Sequence, residues 1–333
     1  MLQRSQAGPR PDGLDAPQRF WAWAAVLLTI TLAVLDGTIA NVALPSIAAD
    51  FDVSPSASIW IVNGYQLAIV VSLLPAASLG EILGYRRVYL SGIVLFTAAS
   101  LACALSQSLP QLAAARVVQG FGAAGLMSVN AAMLRYIVPK ARFGAAIGVN
   151  AFFVASAATA GPVLAGFVLA WTTWPWLFAI NVPLGIVAAT MGWLSLPQSD
   201  RADRRFDWIS ALLSATTIGL LVTTIDIAGQ EARWPQVAGG IAGMAIAGTL
   251  LVRRALKVAE PLLPLDLLRR PVFAMSIGTS IASFIAHTMA FVALPFAFQS
   301  IMGFAPAEVG LLMMPWPLAT AVAAPLAGRL SDR

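Results

Sequence analysis

At 333 residues, with 59% of them hydrophobic and only 11% charged, the chain lies far from a soluble protein, for which about 45–50% and 25% are usual. One cysteine and one histidine leave no material for a disulfide framework or a zinc cluster, and Cys103 reads as a small packing residue in an apolar run. The net charge of +5 and a pI near 10.0 would suit nucleic acid in a soluble chain, but here the placement of the charges carries more information than their sum.

In chain order, residues 1–19 are polar and rich in proline and glycine, and read as a short disordered cytoplasmic tail. Ten apolar runs follow, at about 20–44, 58–79, 88–106, 110–134, 142–170, 174–195, 207–227, 236–255, 272–298 and 305–328. Runs of this length suffice to cross a bilayer as helices, which takes about 20 residues. The first is too long for the core of a signal peptide and should remain as a span. Pro45, Asp50 and Asp52 are expected to close it, and Pro139 and Lys140 follow the fourth. The connections 196–206 and 256–271 are polar linkers. They divide the chain into a six-helix bundle at 20–195, a two-helix insert at 207–255 and an incomplete bundle at 272–333. The fold class expected is an all-α polytopic membrane protein.

Orientation follows from Lys and Arg. With the N-terminus in the cytoplasm, 18 of the 20 fall on cytoplasmic segments; Arg233 sits on an outside connection and Arg116 within a run. The positive-inside rule accounts for the basic pI, and nucleic acid drops out as a partner, leaving the lipid bilayer. A guanidinium cannot be silenced by deprotonation, and near a membrane centre it costs roughly 2.5–3.5 kcal/mol. Asp36 is the acid available to offset it. It lies eight residues, roughly 12 Å, from Leu44, and Arg116 lies six residues, roughly 9 Å, after Pro110, so both sit at matching depth. The small residues Gly120, Ala123 and Ala124 leave room for a close neighbouring helix. A helical bundle with a buried ion pair, and hence a membrane transporter, is the reading that results.

Several stretches together resemble the major facilitator superfamily, and within it the fourteen-helix drug:proton antiporters. Leu35-Asp36-Gly37-Thr38-Ile39-Ala40-Asn41-Val42-Ala43-Leu44-Pro45 is similar to that branch's first-helix signature, with Ala40 departing from it. Arg116-Val-Val-Gln119-Gly120 matches the fourth-helix motif, whose arginine is implicated in proton transfer. Gly161-Pro162-Val-Leu-Ala165-Gly166 is similar to the antiporter motif, with Ala157 and Ala165 in place of glycines. Trp174-Pro-Trp176-Leu-Phe178-Ala-Ile-Asn181-Val-Pro183-Leu-Gly185 resembles the start of the sixth helix, with Pro175 where arginine is common. Ala77-Ser-Leu79-Gly-Glu81-Ile-Leu-Gly84-Tyr-Arg86-Arg87 is similar to the gating loop between helices two and three, altered at Ala77, Glu81 and Ile82. A second copy starts at Gly328-Arg-Leu330-Ser-Asp332-Arg333, each matching position 251 residues on, which marks an internal repeat. The resemblance implies the family's fold with ten transmembrane helices of fourteen, so that the sequence is expected to be truncated.

On that resemblance Asp36 and Arg116 form the proton-coupling pair, supported by Thr38, Asn41, Gln119 and Gly120. Gly161, Pro162 and Gly166 form a kink that flexes. Glu81, Gly84, Arg86 and Arg87 form a charge latch in the gating loop. Each has a plainer reading: Asp36 as a polar wall residue, Arg116 as packing, the glycine–proline pair as a close helix contact, and Arg86 and Arg87 as anchors. Trp60, Tyr65, Asp226 and His287 are candidates for the substrate path. Asp226 reads equally as an interface charge and His287 as a packing histidine. The Trp residues near run ends fit interfacial belts. No nucleotide-binding glycine loop, catalytic triad or metal set is present, so no cofactor and no enzyme activity are expected, and energy must come from an ion gradient. The function expected is proton-coupled export of hydrophobic, cationic small molecules across the bacterial inner membrane, with a periplasmic adaptor as a further candidate partner. Export of a dedicated metabolite, siderophore or antibiotic is the alternative within the class, and a non-transporting fragment the alternative outside it.

Overall fold

The computed structural model describes residues 12–229, 234–258, 261–262 and 265–304, and positions 312, 313, 315, 316, 319, 323, 326, 327 and 330. Among these residues the regular structure is helical throughout. The long helices are α1 (Ala16–Asp50), α2 (Trp60–Leu83), α3 (Tyr85–Ala104), α4 (Leu109–Ile137), α5 (Phe143–Trp171), α6 (Asn181–Ser195), α7 (Trp208–Gly229), α8 (Trp234–Ala255) and α9 (Pro271–Phe296). Short turns at Pro55–Ser58 and Pro175–Ala179 lead into α2 and α6. Eight segments, α1 to α8 taken with the short turns that lead into them, are long and apolar enough to cross a membrane. That is fewer than the ten spans expected: the ninth run forms α9, and most of the tenth lies outside the described residues.

Backbone polar groups in an apolar medium have no partner but one another, which makes an unbroken helix the cheapest state for such sequences. That is also why α1 does not close at Pro45. It runs through that residue to Asp50, because the proline forfeits one hydrogen bond whereas ending the helix would strand several. Gly84, at φ +97°, makes the sharp junction between α2 and α3 in the backbone region that glycine enters without strain.

The chain forms two compact units that meet in sequence at Phe206 and Asp207. Within the first, small residues set how closely the helices approach. A Cβ on Gly120 would lie 2.6 Å from the Tyr65 carbonyl oxygen of α2, and one on Gly122 would lie 2.6 Å from the Phe96 nitrogen of α3. Threonines fill glycine notches on facing helices: Thr38 of α1 on Gly161 of α5, and Thr97 of α3 on Gly185 of α6. Within the second unit, Thr224 of α7 sits on Gly240 of α8 in the same way.

The apolar core of the first unit is in two clusters. One gathers Ala33, Tyr65, Phe96, Ala123 and Ala188 with their neighbours. The other gathers Ile39, Ile61, Cys103, Leu112 and Phe178 with theirs. Along α1, α3, α4 and α6 the passage from one cluster to the other is interrupted by polar residues: Asp36, Ser100, Arg116 with Gln119, and Asn181. Four helices thus each contribute to one polar layer between two apolar ones.

Candidate functional site

That layer is the candidate site. Asp36 and Arg116 are 1% and 0% exposed, and Gln119, Ser100 and Asn181 are buried with them. Arg116 Nη1 is ion-paired to Asp36 Oδ2 and also donates to Gln119 Oε1 at 2.6 Å. Its Nε donates to the Ile61 carbonyl of α2 at 3.2 Å. The guanidinium lies over the Tyr65 ring, 4.0 Å from its centroid, with Phe178 at 5.4 Å. Its Nη2 is buried and makes no hydrogen bond among the described residues. Desolvating an arginine is tolerable where a carboxylate, carbonyl and ring faces replace water, and all three are present here.

Asp36 Oδ1 accepts from Gln119 Nε2 at 2.9 Å and from Asn181 Nδ2 at 2.6 Å. An ionised carboxylate is acceptor-only, and this one is ringed by donors from α4 and α6. Gln119 is itself held, its Nε2 donating also to Ser100 Oγ at 2.8 Å and its Oε1 accepting from Cys103 Sγ at 3.6 Å. Ser100 Oγ in turn donates to the Phe96 carbonyl at 2.7 Å. Chemically the arrangement stores one compensated negative charge out of water. Oδ1 accepts from two donors, so a proton settles on that oxygen only by displacing one of them.

The other sequence candidates fall into groups. Thr38 and Gly120 serve the site through packing, Thr38 donating to the Leu35 carbonyl while filling the Gly161 notch. Asn41 donates to the Gly37 carbonyl of its own helix at 3.2 Å and is not part of the cluster. In α5, Gly161 is required by contact and Pro162 lies inside the helix, whereas a Cβ on Gly166 would meet nothing within 4 Å. Tyr65 is buried under the guanidinium with its hydroxyl donating to the Ala33 carbonyl, so it forms part of the sealed layer and does not line an open path. Trp60 is exposed, Asp226 is half-buried in α7, and His287 meets the Trp316 ring edge-on at 4.8 Å.

The gating loop differs from expectation. Glu81 is ion-paired not to Arg86 or Arg87 but to Arg204, which also donates to Ser78 Oγ. Arg86 turns away to donate to the Trp193 carbonyl in the last turn of α6, a cation at a helix C-terminus. Arg87 is exposed. The connection after α6 lies along the loop: Ala202 N donates to the Glu81 carbonyl at 2.7 Å, and Tyr85 N to Ser199 Oγ at 2.7 Å. Geometry explains the change, since Glu81 and Arg86 flank the Gly84 turn and that turn sends their side chains to different neighbours.

Just before α7, the Asp207 carboxylate is displaced from its ordinary pKa. Burial of the Asp207 carboxylate opposes its charge, but hydrogen bonds from Arg254 and Ser210 outweigh that and lower its pKa to about 2. Arg254 grips it through Nε and Nη2, tying the start of α7 to the end of α8.

Three residues of these arrangements escaped the sequence reading of sites: Asn181, Ser100 and Arg204. Asn181 left a trace, as a lone amide in an apolar run; the other two left none.

Residues 26–333 match the family model of the major facilitator superfamily. The chain is 49% identical over 324 residues to the uncharacterized transporter YebQ of Escherichia coli K12, covering 97% of this chain and 71% of YebQ. It is 30% identical to the riboflavin transporter RibZ of Clostridioides difficile, covering 95% and 69%. It is 36% identical to MdtD of Salmonella heidelberg, a protein named for multidrug resistance, covering 90% and 64%. Among solved structures, the proton:xylose symporter XylE superposes with a TM-score of 0.58 at 13% identity, covering 93% of this chain and 69% of XylE.

Proposed function

The chain belongs to the major facilitator superfamily, and from that premise we propose that it exports hydrophobic, cationic small molecules in exchange for protons, by alternating access between two helical bundles. The observation that carries the proposal is the Asp36 carboxylate, sealed between apolar clusters with Arg116, Gln119 and Asn181 as its donors. In this reading the arrangement described is the deprotonated state. Arrival of a proton neutralises Asp36, loosens its hold on Arg116 and lets the helices regroup as the site turns to the other face. Cargo binding reverses the exchange and returns the proton to water. The Gly161–Thr38 contact is the joint between α5 and α1 over which that regrouping runs, and the Glu81–Arg204 contact holds one end closed. The membrane is the bacterial inner membrane with the N-terminus in the cytoplasm, a reading supported by the one-sided placement of Lys and Arg.

Purified protein in vesicles, loaded with the lipophilic cation ethidium and given an imposed pH gradient, tests this directly. Export should follow the gradient, and export indifferent to it refutes proton coupling. Asp36→Asn should insert normally yet lose ethidium-driven proton release; release retained in that variant removes Asp36 from the mechanism. A second reading, transport of a dedicated metabolite, is favoured by the similarity to RibZ, whose name makes it a riboflavin transporter. Riboflavin in place of ethidium in the same vesicles separates the two.

A further inference from the structure

The polar layer contains two amides, and they are held very differently. Gln119 has four partners on three helices: its Nε2 donates to Asp36 and Ser100, and its Oε1 accepts from Arg116 and Cys103. Every position on that amide is taken, so it cannot turn. Asn181 has one, the 2.6 Å bond from Nδ2 to Asp36 Oδ1, and its carbonyl oxygen makes no hydrogen bond among the described residues. It is the first residue of α6, where the chain leaves the Pro175–Ala179 turn, and it is 3% exposed.

Resting on the proton-coupled reading above, we propose that Asn181 is the positioning residue that accommodates both charge states of Asp36 by turning its amide. The chemistry forces a choice. While Asp36 is ionised it needs donors, and Arg116, Gln119 and Asn181 all supply them. Once a proton from water is bound to a carboxyl oxygen, that oxygen becomes a donor and needs an acceptor. Arg116 has none to offer, because a guanidinium only donates. Gln119 Oε1 is occupied. Asn181 Oδ1 is the uncommitted acceptor in the layer, and a half-turn about the terminal side-chain bond, a soft torsion for Asn, exchanges Nδ2 for Oδ1 with almost no change in shape. The proton stays on Asp36 throughout and leaves to water when the cycle reverses. No bond to Asn181 other than the hydrogen bond is made or broken. Gly185, one turn further along α6, seats Thr97 of α3 and keeps α6 in register while the amide moves.

The test compares Asn181→Leu, which keeps the branched heavy-atom skeleton but neither donates nor accepts, with Asn181→Ser, which loses volume but does both. Ethidium-driven proton release is measured in vesicles, beside Asp36→Asn and with the inserted amount of each variant as control. Asn181→Leu should release protons at least about tenfold more slowly, the equivalent of one charge-assisted hydrogen bond, while Asn181→Ser stays closer to wild type. Infrared spectra should show the carboxyl band that Asp36→Asn removes shifted upward in Asn181→Leu, as for a carboxyl whose O–H has lost its acceptor. If Asn181→Leu releases protons like the wild type, or outperforms Asn181→Ser as a packing role would require, the inference falls while the proton-coupled reading stands. If Asp36→Asn still releases protons, that reading falls and takes the inference with it.

Discussion

A guanidinium that keeps its charge and is fully out of water depends on what surrounds it, and Arg116 is surrounded by groups that need its shape as well as its charge. Arg116→Lys retains the charge but presents a compact ammonium that cannot bond Asp36, Gln119 and the Ile61 carbonyl in one plane or lie flat on Tyr65. It should lower stability in detergent by about 1–3 kcal/mol, read as a drop in melting temperature. Arg116→Ala, which leaves Asp36 buried and unpaired, should cost about 3–5 kcal/mol. Asp36 and Arg116 were legible in the sequence because each is a lone charge in an apolar run, at matching depth. Ser100 and Asn181 were not assigned to the site, because an uncharged polar side chain costs a membrane helix little and many such residues only satisfy their own helix, as Thr97 does with the Ile93 carbonyl. Arg204 was hidden for another reason: nothing periodic fixes where a polar connection lies.

Among the elements, α1 is tied to the α6 segment at three heights. Gln18 donates to the Ser195 carbonyl at one end, Asn181 to Asp36 in the middle, and Trp174 to Asp50 at the other end. These ties hold the two backbones together, so a rearrangement around Asp36 falls to the other helices and to side chains that turn in place, as Asn181 is proposed to do. The α1–α5 seam is where the chain invites a test. A Cβ on Gly161 would overlap Thr38 Oγ1 and lie 2.8 Å from Thr38 Cβ, while one on Gly166 meets open space. Gly161→Ala should therefore destabilise by about 1–3 kcal/mol and Gly166→Ala should be neutral. Thr38→Gly combined with Gly161→Ala, which removes both the hydroxyl and the Cβ that lies 2.8 Å away, should recover more of the loss than Thr38→Ala in double-mutant cycles of melting temperatures. The helices themselves were readable from apolar run lengths to within a few residues. The exception was the end of α1, where proline was given the weight it carries in water rather than in lipid.

At the scale of the molecule, the boundary at Phe206 and Asp207 places the polar connection after α6 wholly with the first unit, docked on the gating loop, and begins the second unit with a charge clasp. The Asp207 pKa is depressed from 3.8 to about 2, so the clasp contributes stability that is complete above pH 4 and is lost as the pH falls towards 2. Hydrogen exchange at the start of α7 should quicken across that window, and Asp207→Asn should abolish the pH dependence. The spread of the polar layer over so many helices also bears on how the protein is made. Asp36 precedes Arg116 by 80 residues and Asn181 by 145. At about 5–20 residues per second the ribosome takes on the order of ten seconds or more to deliver the last of them. Until Arg116 emerges, about 4–16 seconds after Asp36 at that rate, the nascent first segment has to hold a carboxyl in or beside the lipid with no counterion. Its strongly apolar 18-residue stretch, with a mean hydropathy of 1.8, is what keeps it there until its companions arrive.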